Sequence, residues 1–302
     1  VTGTPQRGDT KRGGLLFGIG AYGSWGLFPA FFPLLKPAGA LEVLAHRVIW
    51  TMVLMVGVIV AMRRLSDLRS LTRRTWLLLV CASALVSANW VIYVYAVNNG
   101  HVVDAALGYF INPLVSVLLG VLIFRERLNR PQVGALLIAL AAVVLLAVEV
   151  GGPPVVALGL AFTFGFYGVV KKVVPVDPRV SVGLEAAIAA PFAIVYVVVL
   201  QLSGHGQFTN NGVGHIALMV LSGPITAIPL LLFATAAQRL PLVTLGLLMY
   251  LTPAMQMTWG VVVGHEPMPP ARWVGFGLIW LALVVFSADA LRRARQSPAA
   301  RS

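Results

Sequence analysis

The run LEVLAHRVIW places Glu42, His46 and Arg47 inside an otherwise apolar stretch. An ionisable side chain at the centre of a membrane-spanning helix costs about 2.5–3.5 kcal/mol on insertion scales. Three of them so close together therefore imply partners or a water-filled cavity. Glu42 and His46 are four residues apart and share one helical face. Such a pair can hold and pass a proton near neutral pH. Arg47 points about 140° away from Glu42 at 100° per residue, where it can attract an anion or lock to a carboxylate. A structural ion network near the outer interface, with Arg47 snorkelling along its stem, accounts for the same residues. Glu185 begins a second such stretch, interrupted by Pro191, which frees the carbonyl of Ala187. It either lines the same cavity or is a peripheral carboxylate favoured by the helix dipole.

A second set is polar and aromatic. Asn89, Trp90, Tyr93, Tyr95, Asn98, Asn99 and His101 are followed by Asp104, Tyr109 and Asn112. Those near helix ends suit the headgroup belt. Asn89 and Asn112 fall near mid-membrane, where an unsatisfied amide is expensive, so they serve as interhelical glue or touch substrate. Pro113 and Pro253 stand halfway along their stretches and free the carbonyls of Tyr109 and Met249, so kinks useful for gating are expected there. Tyr250, Thr252 and Gln256 are expected to face Tyr109 and Asn112. Tyr22, Ser24 and Trp25 sit among Gly18, Gly20, Gly23 and Gly26, where small residues permit close helix contact.

What must position these residues is set by lipid. Of 302 residues, 59% are hydrophobic and 11% charged, against roughly 25% charged in soluble domains. A bilayer core about 30 Å thick needs about 20 apolar residues per helix, and about ten such stretches are expected: 14–35, 40–62, 75–97, 102–124, 131–149, 154–174, 180–202, 215–236, 242–263 and 270–290. The net charge of +12 does not mark a nucleic-acid binder, because the basic residues lie in short breaks between apolar runs and not on one face. With the N-terminus inside, nineteen of the 22 Lys and Arg fall in cytoplasmic segments, as the positive-inside rule requires. Lys171 and Lys172 are counted among them. Lys36 and Arg272 fall near the outer face.

The single cysteine, Cys81, reads as ordinary packing and excludes a disulfide framework. No cleavable leader is expected, since the opening residues are polar and the apolar segment from Gly13 to Leu35 exceeds an h-region. Val1 fits a GTG start codon or processing equally. No nucleotide loop, metal triad or nucleophile elbow is present, so no cofactor and no enzymatic activity are expected, and energy must come from an ion or substrate gradient. The longest connection, Ser203 to Gly214, reads as a flexible outer loop.

Shifting the chain on itself by 140 residues aligns Pro113 with Pro253, Gly120 with Gly260, Val121 with Val261 and Glu126 with Glu266. A shift of 143 aligns Leu41-Glu42 with Leu184-Glu185. The expected organisation is an all-α membrane protein of ten transmembrane helices, built as two inverted five-helix repeats over 14–149 and 154–290, with tails 1–13 and 291–302. Five is odd, so the second half enters from the opposite side, placing Glu126 at the cytoplasmic face and Glu266 at the outer one. Such folds bind substrate near the midplane and alternate access by rocking one unit against another.

The runs YGSWGLFPAFF, LEVLAHRVIW, ANWVIYVYAVNNGHVVDAALGYFINPLVSVLLG, FGFYGVVKK, GPITAIPLLLF and LPLVTLGLLMYLTPAMQ resemble the RarD family, in the EamA branch of the drug/metabolite transporter superfamily. The resemblance covers residues 14–290 and departs from the family pattern at Ala186 and Met249, where a Thr and a Gln are expected. It implies ten helices with both termini cytoplasmic in a bacterial inner membrane, a central cavity formed mainly by the first four helices of each half, and transport of small molecules. Members are often labelled chloramphenicol-sensitivity proteins. The expected function is a secondary transporter, an exporter of a small metabolite or drug-like solute, with proton coupling open. The alternative is a flippase for lipid or a lipid-linked precursor. Expected partners are the solute and membrane lipid, not nucleic acid.

Overall fold

Apolar runs broken by Pro, Gly and basic residues become helices whose ends coincide with those breaks. The computed structural model describes residues 7–98, 102–150, 155–263, 265 and 270–296. Asn99, His101 and Glu266 lie outside the described residues, as do the side chains of Asn98, Asp104 and Arg272. α1 (Arg7–Gly26) starts before the apolar run proper, so the segment expected as a polar tail supplies its first turns. The expected helix 14–35 is not continuous. Pro29 and Pro33 lack an N–H to donate, and the chain passes through α2 (Phe28–Phe31) into a 3-10 turn, Phe32–Leu35.

α3 (Ala40–Ala61), the short α4 (Leu65–Arg69), α5 (Arg73–Asn98), α6 (Val102–Phe124) and α7 (Arg130–Val150) complete the first half. The second half holds α8 (Val155–Val173), α9 (Pro178–Leu202), α10 (Gly212–Arg239), α11 (Leu242–Met249), α12 (Leu251–Val262) and α13 (Pro270–Gln296). α6 runs through Pro113 and α9 through Pro191 as continuous helix. The ninth stretch does divide, at Tyr250, three residues before Pro253. Among the described residues there is no strand, and nine helical stretches are long and apolar enough to cross a membrane. α13 adds a shorter apolar stretch, Trp273–Asp289. Outward residues such as Leu122, Val148, Phe192 and Val195 are exposed and apolar, as lipid contact demands. Cys81 is exposed on α5, not packed as expected.

The packing has an exchange symmetry. α3 lies on α9, α6 on α11, and α7 on α13; α1 packs on α10 and α12, α5 on α8 and α9, α10 on α3, and α8 on α6. Swapping α1 with α8, α3 with α9, α5 with α10, α6 with α11–α12 and α7 with α13 returns each of these pairs. Backbone conformation follows the same correspondence. Arg125 (φ 53°) and His265 (φ 49°), 140 residues apart, are both left-handed just after α6 and α12. Arg63 (φ 55°) and Gly204 (φ 75°) end α3 and α9 in the same way, as helix C-termini commonly do.

One end of the bundle gathers the basic residues. There α3, α6, α8, α10 and α13 finish, and α1, α5, α7, α9 and α11 begin. Arg64 pairs with Asp177 at 2.6 Å, Lys172 approaches Glu126 at 3.4 Å, and Asn129 donates to Asp289 at 2.8 Å. Asp177 caps α9 through the Arg179 N–H. Asn129 and Gln132 cap α7 reciprocally, each side chain accepting the other's backbone N–H.

The closest helix approach is α10 on α3. A Cβ at Gly223 would stand 2.5 Å from the carbonyl carbon of Trp50, and Thr51 Oγ1 donates to the Gly223 carbonyl at 3.1 Å. Gly223→Ala is therefore expected to destabilise the fold by about 1–3 kcal/mol, the usual cost of overpacking. Gly57→Ala, which meets nothing within 4 Å, should leave thermal unfolding in detergent unchanged or slightly improved.

Candidate functional site

The three ionisable residues of α3 part company. Glu42 is buried, and its Oε1 accepts the backbone N–H groups of Gln207 (2.7 Å) and Phe208 (3.1 Å) from the α9–α10 connection. His46 is also buried, its ring stacked on Phe208 with centroids 4.4 Å apart and both nitrogens without a partner. The proton pair expected from their spacing is not formed: one face holds both side chains, but the carboxylate is spent on the loop backbone. That loop, expected to be a loose connection, thus lays Phe208 over the first turns of α3. Nearby, His215 Nε2 lies 3.1 Å from the Leu35 carbonyl.

Arg47 projects the other way, as its phase on the helix requires. Its Nε donates to Thr226 Oγ1 at 2.9 Å, and Thr226 donates on to the Ser222 carbonyl. The guanidinium carbon lies 5.6 Å from the ring centre of Phe28, 5.1 Å from that of Phe32 and 4.9 Å from that of Trp90. The broken end of the first span, not a regular helix, brings Phe28 and Phe32 here. Tyr93 and Tyr109, their rings edge to face at 5.9 Å, lie within electrostatic reach of Arg47.

Toward the basic end stands a closed ion network. Lys171 Nζ is 2.6 Å from both Glu185 Oε1 and Ser181 Oγ, Ser181 Oγ donates to the same carboxylate oxygen at 2.6 Å, and Tyr167 OH donates to Oε2 at 3.0 Å. Ser83 holds the Glu185 backbone carbonyl at 2.8 Å. Lys171 is 0% exposed, so it is not the solvated topology charge that its place in a Lys-Lys pair suggests. Adjacent helical positions differ by about 100°, which sends Lys171 into the bundle and Lys172 to its rim, toward Glu126. Glu185 is not peripheral. It forms part of the wall of a cavity of about 20 Å³, with Val48, Thr51 and Trp90, room for one water at most.

Glu126 closes the basic end. Its two oxygens accept the N–H groups of Leu242 and Val243, each at 2.8 Å. These are orphan donors of the first turn of α11, which a carboxylate satisfies best.

The centre is filled by rings. Tyr22 and Trp25 of α1 meet Phe164 and Tyr167 of α8 and Phe233 of α10, with centroid distances of 5.4–6.2 Å. Asn89 joins helices by donating to the Leu160 carbonyl and to Thr163, both at 2.9 Å. Of the polar groups expected to face Tyr109 and Asn112, Tyr250 reaches the same stretch of α6, while Thr252 and Gln256 bond to α1. Thr252 donates to the Tyr22 carbonyl (2.8 Å), Gln256 to that of Trp25 (3.1 Å), and Tyr250 to that of Phe110 (3.4 Å). The turn at Tyr250 lays α12 along α1 instead. Asn112 Oδ1 and Tyr22 OH are buried without a partner. Sequence reasoning missed Tyr167, Lys171, Ser181, Thr226, Phe28, Phe32 and Phe208; only Lys171, one Lys too deep in an apolar run, carried a readable signal.

Apolar flanks facing lipid, with charged and polar side chains paired between the spans, define a multi-pass membrane protein of the transporter kind. The chain belongs to the EamA-like transporter family, whose model matches it twice, over residues 12–148 and 154–288. It is 48% identical over 293 residues to the protein RarD of Streptomyces exfoliatus, covering 96% of this chain and 93% of that protein. It is 42% identical over 298 residues to the uncharacterized transporter YojE of Bacillus subtilis, covering 97% and 99%. To the protein RarD of Escherichia coli it is 36% identical over 288 residues, covering 95% and 97%. A solved crystal structure with 21% identity shares the fold with a TM-score of 0.72, covering 93% of this chain and 99% of its own. The protein is thus a multi-pass transporter of the bacterial membrane.

Removing one partner of a buried ion pair leaves an uncompensated charge and costs about 3–5 kcal/mol. Lys171→Met is expected to destabilise the detergent-solubilised protein by that order. Adding Glu185→Leu should recover much of the loss, which denaturant unfolding of the single and double variants would measure.

Proposed function

We propose that this chain is a secondary transporter that moves a small solute across the bacterial inner membrane by alternating access, and that it works as an exporter. In this reading the chain crosses the membrane ten times. Its two five-helix halves, over 14–149 and 154–290, are inverted relative to each other, and both termini are cytoplasmic. The observation that carries it is the exchange symmetry of helix neighbours, reinforced by the paired left-handed residues Arg125 and His265 and by the double match to one family model. The concentration of Lys and Arg at one end supports a cytoplasmic assignment for that end.

A cavity of about 20 Å³ holds no solute, so passage requires the helices around it to part. Two carboxylate-to-backbone clasps lie toward opposite ends: Glu126 on α11, and Glu42 on the α9–α10 loop. Each is a set of hydrogen bonds that water can replace. Releasing one while the other holds is the alternation that inverted repeats perform. The residues assigned to the path are Tyr22, Trp25, Glu42, His46, Arg47, Asn89, Tyr93, Tyr109, Asn112, Glu185, Tyr250, Thr252 and Gln256.

Two measurements test this. In a Cys81→Ser background, Arg127→Cys and His205→Cys, both at exposed positions, are expected to react with an impermeant thiol reagent from opposite sides of the membrane; reaction from one side overturns the topology. Purified protein in liposomes, screened for flux of small metabolites and drugs with and without a pH gradient, is expected to move at least one of them. Movement of labelled lipid with no solute flux would favour a flippase instead.

A further inference from the structure

Among the described side chains, Arg47 is a cation held without an anion. Among the described residues the ion pairs are Arg64 with Asp67 and Asp177, Lys171 with Glu185, and Lys172 with Glu126. Among the described side chains, the carboxylates buried within the bundle are committed elsewhere, Glu42 to backbone N–H groups and Glu185 to Lys171. What holds Arg47 instead is one hydroxyl and three ring faces, those of Phe28, Phe32 and Trp90. A ring face stabilises a desolvated guanidinium, so three together offset much of what such a charge costs in a membrane. Rings consume no N–H donors. With Nε tied to Thr226, the guanidinium plane is fixed and its two terminal amino groups form no hydrogen bond among the described residues. Unlike Glu42 and His46, Arg47 is only partly buried.

A fixed guanidinium fork with free donors matches a carboxylate, which it can grip with two parallel hydrogen bonds. The ligand's charge follows from the surroundings. One cation in a poorly hydrated site neutralises one negative charge, so a doubly charged phosphate would leave an excess, whereas a monocarboxylate would not. The walls fix the remainder of the ligand, since Phe28, Phe32 and Trp90 offer only apolar faces to whatever the anion is attached to.

We propose that Arg47, with Phe28, Phe32 and Trp90 around it, binds the carboxylate of a small organic monoanion whose apolar body lies against those rings. This names the substrate class of the transport site and rests on the transport reading above.

The test is calorimetric titration of the purified full chain in non-ionic detergent with 3-phenylpropionate, octanoate, 3-phenylpropionamide and inorganic phosphate. The two acids are expected to bind about tenfold or more tightly than the amide, in keeping with hydrogen bonds to a charged group. Arg47→Gln should erase that preference and Arg47→Lys should keep part of it. On the unaltered protein, 3-phenylpropionate but not the amide should slow modification of Arg47 by phenylglyoxal, read by mass spectrometry, a measurement that does not depend on a variant folding. Equal binding of acid and amide, binding of neither acid, tighter binding of phosphate, or acid binding unchanged in Arg47→Gln would each overturn the proposal. Carboxylate binding without flux of any solute would leave the anion site standing and sink the transport reading; flux of neutral solutes with no carboxylate binding would do the reverse.

Discussion

The rest of the structure depends on one constraint: away from water, each charge and each backbone donor must be answered from within the chain. The Lys171–Glu185 pair shows how completely this is met. One carboxylate receives Lys171, Ser181 and Tyr167, joining α8 to α9 where neither helix alone could keep its charge. Glu126 answers the same demand for backbone, supplying acceptors to two N–H groups that open α11. In water these bonds would trade with solvent almost evenly, whereas a group that loses one while water is kept out is left unanswered.

The same constraint explains why two halves with one plan are used differently. A shift of 142 residues sets Tyr22 against Phe164, Gly23 against Gly165, Trp25 against Tyr167, Gly26 against Gly168, and Pro29 against Lys171. The second half keeps a straight helix there and places a lysine where Glu185 needs it. The first half has a proline, its helix breaks, and the end that follows delivers Phe28 and Phe32 to Arg47. Glu42, with no lysine on its side, turns to the loop at Gln207 and Phe208. An ion pair in one half is thus replaced in the other by a carboxylate clasp and a cation among rings.

Spans were legible because hydropathy reports directly what lipid selects, and the glutamates and prolines of the repeat stood out against leucine and valine. What stayed hidden was the direction of individual side chains. Glu42 and His46 share a face at i, i+4, yet spacing within a helix cannot disclose a backbone donor that arrives from a loop some 165 residues away. Lys171 was counted as surface charge because a Lys-Lys pair at a helix end looks like a topology signal, and helical phase alone separates the buried one from the rim. Pro113 and Pro253 look equivalent in sequence, but only the second lies by a break, at Tyr250. Tight contact of α11 with α6, where a Cβ at Gly246 would come within 2.9 Å of the Pro113 carbonyl, braces the first where the sequence shows only a proline.

That contact also limits how the bundle can open. α6 and α11 touch backbone to backbone at Gly246 and again at Gly120, where a Cβ would lie 3.1 Å from the Val243 nitrogen. α3 and α10 do so at Gly223. Contacts this close do not stretch; any opening there takes a switch to a second packed arrangement. The groups that can separate are those held by side chains: the rings of Tyr22, Trp25, Phe164, Tyr167 and Phe233 at the centre, and the carboxylate clasps beyond them. In the proposed alternation, opening from the basic end would expose the Leu242 and Val243 N–H groups to water, and opening from the other would lift Phe208 from His46. The Lys171–Glu185 pair ties α8 to α9, and through the Tyr167 hydroxyl it also anchors one ring of the aromatic centre, so ion network and ring cluster meet in one side chain.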